Sequence, residues 1–185
     1  LSITKAPLTA KVENTSKEYG SSNPSFCMEF VGLKNGEKTP VWSSSPSYTT
    51  SATIKSSVGE YEISAKATPK NYELSEISSG ILKITKAPLT LQANDLSKTY
   101  YSENPELTYT CNGLKYWDDI SVLTVGPILS TNAKKESNAG IYEITIKGAS
   151  AKNYVITYKD GHMTVQKRPL YVSVGNYERN YGEEN

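Results

Sequence analysis

The sequence predicts an all-β or mainly β protein, built as tandem small β-rich domains with minimal helix. Three observations carry that expectation. The chain repeats itself at an offset of 81 residues, as Ala6-Pro7-Leu8-Thr9 returning at Ala87-Pro88-Leu89-Thr90 shows. Within each copy, apolar and polar residues alternate with a period of two, the pattern of half-buried strands. Clusters of Ser, Asn, Gly and Pro punctuate the alternating runs at places where a chain turns.

The repeat is dense enough to set boundaries. Ser16-Lys17 returns at Ser97-Lys98, Asn23-Pro24 at Asn104-Pro105 and Gly32-Leu33 at Gly113-Leu114. Gly59-Glu60-Tyr61-Glu62-Ile63 returns at Gly140-Ile141-Tyr142-Glu143-Ile144. Lys70-Asn71-Tyr72 returns at Lys152-Asn153-Tyr154, one residue late, and Gly161 restores the register of Gly80. One insertion is therefore compensated by one deletion within one region of the unit. The expected organisation is a last strand of a preceding unit over 1–5, repeat units over 6–86 and 87–167, and an opening strand of a third over 168–185. At the junction, Ile84-Thr85-Lys86-Ala87-Pro88-Leu89 passes from strand to strand without a Gly/Ser linker. Pro88 holds Ala87 extended, so neighbouring units are expected to stack as a rod-like array.

Each element has its own signal. Leu8, Ala10 and Val12 alternate on the first strand, matched by Leu89, Leu91 and Ala93, and by Leu170, Val172 and Val174 in the third copy. Phe26, Met28 and Phe30 correspond to Leu107, Tyr109 and Cys111. Tyr61, Ile63 and Ala65 form a further strand with Tyr142 and Ile144 as counterparts, and Leu82 and Ile84 match Met163 and Val165. Asp160-Gly161, between two alternating runs, reads as a hairpin turn. The helical candidates are short: 118–123, with an acidic start able to cap a turn, and 36–42. Five to seven strands in about 81 residues make either an Ig-like sandwich or a β-grasp with a reduced helix.

Composition excludes several classes. Twenty basic and nineteen acidic residues leave a net charge of +1, which gives no electrostatic case for nucleic acid or anionic lipid. No apolar run approaches the ~18 residues of a spanning helix, so direct membrane insertion is not expected. One His and two Cys provision metal chemistry poorly. Cys27 and Cys111 sit at non-equivalent places and are expected as unpaired, partly buried thiols. His162 has no ligand partners at useful spacing. Glu62 and Glu143 alternate with core residues and read as a solvated face. No Gly-x-Ser-x-Gly elbow is present, and one His cannot serve both units. No catalytic residue, metal or cofactor is expected.

Lys-Ala-Pro-Leu-Thr, then Ser-Lys-x-Tyr-Gly, Asn-Pro, a strand ending in Gly-Leu, Gly-x-Tyr-x-Ile, Asn-Tyr and a closing Gly-x-Leu-x-Ile form a combined frame. This frame resembles the MBG repeats of the Tyr-Gly-x type. The resemblance covers 6–86, 87–167 and the stretch 168–185. It implies an extracellular, non-enzymatic module used in tandem by bacterial surface and secreted, adhesin-like proteins. One departure is visible: Tyr19-Gly20 and Tyr181-Gly182 keep the signature, whereas the second unit has Tyr100-Tyr101.

Seven tyrosines are locked to the period: Tyr19, Tyr100, Tyr181, Tyr61, Tyr142, Tyr72 and Tyr154. Residues reused in every copy are expected in cores and corners. The aromatics outside the period, Tyr101, Tyr116, Trp117 and Trp42, are the candidates for contact with a glycan or protein. The expected role is a structural spacer at the cell surface that contributes to adhesion, with neighbouring repeats as partners. A glycan- or protein-binding module using the exposed aromatics is the alternative. Lys17 and Lys98, with Asn71 and Asn153, also recur as a pattern for an isopeptide cross-link, against which stands the expectation that a turn lysine is solvated.

Overall fold

The computed structural model describes residues 2–115 and 117–184. The fold is all-β, as expected, and the two repeats share one topology. In the first, β1 (Ala6–Val12) lies between β3 (Met28–Val31), antiparallel to it, and β6 (Tyr72–Ser78), parallel to it. A second sheet runs in the order β2 (Thr15–Glu18), β7 (Gly80–Thr85), β5 (Gly59–Pro69), β4 (Trp42–Thr50). The second repeat reproduces both sheets. One is β10 (Tyr109–Asn112), β8 (Ala87–Ala93), β15 (Tyr154–Lys159); the other is β9 (Leu96–Thr99), β16 (Gly161–Gln166), β13 (Gly140–Lys147), β12 (Ile128–Thr131). It adds a small pair, β11 (Leu123–Val125) with β14 (Ser150–Ala151).

The core follows the period-two reading. Leu8, Ala10 and Val12 of β1 are buried, as are Leu89, Leu91 and Ala93 of β8. From the other sheet Ile63, Leu82 and Ile84 join Ala10 and Val12 in the core, and in the second repeat Ile144, Ile146 and Met163 join Leu89, Leu91 and Ala93. Among the described residues only one short 3₁₀ turn, Ile120–Val122, is helical, with the Asp119 carboxylate accepting from the Ser121 amide at 2.8 Å. The acidic start of 118–123 thus caps a single turn. The expectation for 36–42 is corrected: that stretch holds no helix, and Lys34–Glu37 closes a turn instead. Without a helix to grasp, each repeat buries its core between two sheets.

The hairpin expected at Asp160-Gly161 is also corrected. β15 and β16 do not pair with each other; β15 joins β8, whereas β16 joins β13 and β9. The chain changes sheets there, as it does at Ser79 between β6 and β7 in the first repeat. Asp160 serves the crossing by accepting from the Ile146 amide at 2.9 Å. Glycine follows because of space: a Cβ on Gly161 would stand 2.5 Å from the Ala93 carbonyl oxygen. One on Gly80 would stand 2.7 and 2.8 Å from those of Val12 and Glu13.

The compensated insertion and deletion have a structural meaning. Ser75 is a bulge in β6, placing Leu74 opposite Leu8 and Glu76 opposite Thr9; β15 pairs with β8 without one. The extra residue of the second repeat falls at the break after β13, where Gly148 takes a φ of +84°.

The junction is shorter than a loop. Only Lys86 separates β7 from β8, and Ala87 is fully buried. Tyr61 and Tyr142 occupy equivalent strands and donate to the Ser57 and Asn138 carbonyls, but they are half-buried rather than largely buried. Residues 2–5 and 168–184 carry no strand, and Leu170, Val172 and Val174 are exposed. β1 and β8 are held between two neighbouring strands each, and 170–174 has no such neighbours among the described residues.

Gly80→Ala should destabilise the protein by about 1–3 kcal/mol, the range for overpacking a filled site. Gly126→Ala, where no atom lies within 4 Å, should change stability by less than about 0.5 kcal/mol. Urea unfolding of the two variants checks both values.

Candidate functional site at the face between the repeats

The residues of the Ser-Lys-x-Tyr-Gly segment take separate structural tasks. Lys17 and Lys98, on β2 and β9, are buried, at 8% and 7% exposure, which corrects the expectation of solvated turn lysines. The Lys17 ammonium donates to the Ser21 and Thr53 carbonyls at 3.0 and 2.8 Å; Lys98 donates to those of Ser102 and Lys134 at 3.0 and 2.5 Å. Asn23 and Asn104 add hydrogen bonds to the Ala52 and Ala133 carbonyls, pinning the same loop. Burial holds the Lys17 pKa below its ordinary value. These amines therefore meet backbone carbonyls, not the side chains of Asn71 and Asn153. Asn153 instead accepts from the Val58 amide across the junction.

Tyr19 and Gly20 form the seat of the second repeat. Tyr19 is 4% exposed and stands edge-on to Tyr154, with ring centroids 5.5 Å apart and planes at 78°. Its hydroxyl contacts Asp118 at 3.4 Å and receives the Trp117 indole N–H at 3.3 Å. Gly20, at φ +82°, lies directly under the stem of Lys115, whose Cγ would be 2.5 Å from any Cβ there. The Lys115 ammonium reaches Glu18 at 2.7 Å, and Lys55 lies 5.5 Å from the Trp117 ring centroid. Tyr154 is the hub on the other side: its hydroxyl donates to Asp118 and accepts from the Lys115 amide at 3.0 Å. Burial first, then the hydrogen bond to Asp118, push its pKa far above that of an ordinary tyrosine.

The same hub exists in the first repeat. Tyr72 accepts from the Lys34 amide at 3.0 Å and donates to Glu37 at 2.7 Å. Every unit thus has two unlike poles. One presents Lys-x-Tyr-Gly, or Tyr-Tyr in the second repeat; the other presents an acid–tyrosine pair.

A sequence model of the family described as MBG domain (YGX type) matches residues 8–83 and 89–164. The chain belongs to that family. A structure titled "Structure of Yersinia pseudotuberculosis InvD" is 12% identical, with a TM-score of 0.31, over 96% of this chain and 62% of its own length. No curated protein matches. In this MBG pair the Tyr-Gly of the first repeat is the contact surface for the repeat that follows it.

The aromatic candidates separate. Trp117 is half-buried in the junction, and Trp42 is half-buried against Phe30, with centroids 5.7 Å apart. Tyr101 is 50% exposed beside Tyr100 at 37%, with Lys135 over its ring at 5.5 Å. Tyr116 lies outside the described residues. Sequence reading missed Lys115, Asp118 and the role of Gly20, although their neighbours in the frame were visible. Cys27 is exposed rather than partly buried; Cys111 is half-buried, and burial raises its thiol pKa. His162 is exposed on the surface, 3.5 Å from Asp95. Glu62 and Glu143 are exposed. Among the described residues no group of three acids, His or Cys is placed to hold a metal ion, and no helix is long and apolar enough to cross a membrane.

Tyr154 has a pH signature. Its pKa is raised in the fold, so its stabilising contribution is complete below the unfolded value of about 10 and declines as pH rises above it. Lys17 acts in the opposite sense below pH 10.5, since its folded pKa is lowered. Comparing wild type with Tyr154→Phe cancels the lysine. Phe should cost about 1–3 kcal/mol at pH 7 through the unpaired Asp118 and Lys115 groups. The difference should shrink between pH 10 and 11.5 in urea titrations.

Proposed function

We propose that the chain is a non-catalytic extracellular module that spaces and holds a bacterial surface protein as a stiff array of repeats, and through that array serves adhesion. The observation that carries this reading is the Tyr19–Tyr154 junction. One residue of linker, a buried Ala87 and a continuous apolar cluster couple the two units. Unlike poles meeting head to tail allow the same kind of contact to propagate from repeat to repeat. The setting outside the cell is supported by the family, whose domains are typical of surface and secreted proteins.

A second reading rests on Tyr100 and Tyr101, two exposed tilted rings with centroids 6.0 Å apart. Rings of this kind can stack on a sugar face. Under that reading the pole binds glycan, and Tyr101→Ala abolishes retention on a glycan array.

The spacer reading is checked by spin labels placed one on each repeat. A narrow distance distribution in the full chain is expected. A broad one, as for units on a free linker, would overturn the reading.

A further inference from the structure

The two Tyr-containing poles occupy equivalent places but differ in the residues that grip a neighbour. In the first, Glu18 takes the Lys115 ammonium, Gly20 leaves room for the Lys115 stem, and Lys55 covers Trp117. By the repeat register, the second pole has Thr99, Tyr101 and Glu136 at those places. Tyr19 alone is conserved between the poles, as Tyr100.

Each change acts on the fit. Tyr101 keeps the left-handed backbone, φ 67° against 82° at Gly20, so the turn has the same shape. Its Cβ stands where, in the first junction, the Lys115 stem lies over Gly20. Lys135 over the ring, itself paired with Glu103 at 2.8 Å, braces it there. In the first repeat those two places hold Ile54 and Ser22, so the brace came with the tyrosine. Thr99 carries no charge to form an ion pair with an ammonium, and Glu136 reverses the charge that faces Trp117 in the first junction.

We propose that the Thr99–Tyr101–Glu136 pole is a docking surface for a different repeat partner. That partner is an MBG-type unit with a short, uncharged residue at the Lys115 place and a basic residue at the Trp117 place. A unit of the Lys115/Trp117 kind is refused, because position 20 of one repeat and position 115 of the next compete for one space. Residue Lys34 at the same place in the first repeat would also be refused, so a second copy of this chain does not add to the pole. The order of repeats in the array is thereby written into their ends. This rests on the array reading, since it treats the poles as seats for repeats.

The test exchanges the poles within the existing chain. E18T, G20Y, S22E, I54K and K55E together place the second pole on the first repeat. Every one of these residues already stands at the equivalent place in the second repeat, so the backbone has a precedent for each. Spin-label distances across the junction are read for three chains. Wild type tests the array reading and is expected to be narrow. The exchanged chain should lose the narrow distribution, and adding K115S and W117K should restore it. A narrow distribution in the exchanged chain, or no recovery with K115S and W117K, would overturn the proposal while leaving the array reading intact. Should the five-residue exchange fail to fold, E18T with K55E keeps Gly20 and reads the charge term alone. Broadening that K115S and W117K reverse supports the proposal; no change overturns it.

Discussion

The close crossing of two chain segments organises each repeat. Both the first strand and the penultimate one leave one sheet for the other, and they do so at the same point. Backbone meets backbone there with no side chain between, at Gly80 over Val12 and Glu13 and at Gly161 over Ala93. That contact brings β1 and β6 into one sheet while β2 and β7 form the other. The parallel pairings have no local loop to set them; the crossing fixes their register. Close packing then follows, because the apolar faces of the two sheets face each other across one core.

The buried lysines belong to the same logic. An ammonium removed from water loses hydration, and it is stable only when its donors are satisfied. A carbonyl of the adjoining turn and one of a distant loop each accept a hydrogen bond from Lys17 and, likewise, from Lys98. The lysine thereby ties the loop after β4 or β12 to the turn after β2 or β9. The turn so fixed is the one that carries Tyr19-Gly20. A signature that looks like a surface turn is thus a buried anchor followed by the covered seat of the next repeat.

At the junction, the hydroxyl of Tyr154 takes an amide proton from one side and gives its own to Asp118 on the other. Its ring meets Tyr19 of the preceding repeat. Such a contact joins one core to the next, since both tyrosines are buried and hydrogen-bonded. The seat also limits which neighbours fit, because glycine, the lysine stem and the ion pair occupy one small volume.

The sequence by itself determined the repeat, the alternating core strands of each unit and the all-β class. Those depend on near neighbours: alternation in Leu8, Ala10 and Val12, the turn chemistry of Asn-Pro, the Pro88 junction. It also located the insertion and deletion, which the structure resolves into a bulge at Ser75 and a break at Gly148. Tertiary structure alone decided that Asp160-Gly161 is a sheet crossing, that Lys17 is buried and that Trp117 faces Tyr19. The reason is physical. A dipeptide such as Asp-Gly permits a hairpin, but whether glycine is there for its φ or for missing bulk depends on a carbonyl nearly seventy residues away, at Ala93. Likewise the burial of Lys17 depends on where Thr53 brings its carbonyl, and the seat at Gly20 exists only when the stem of Lys115 lies over it.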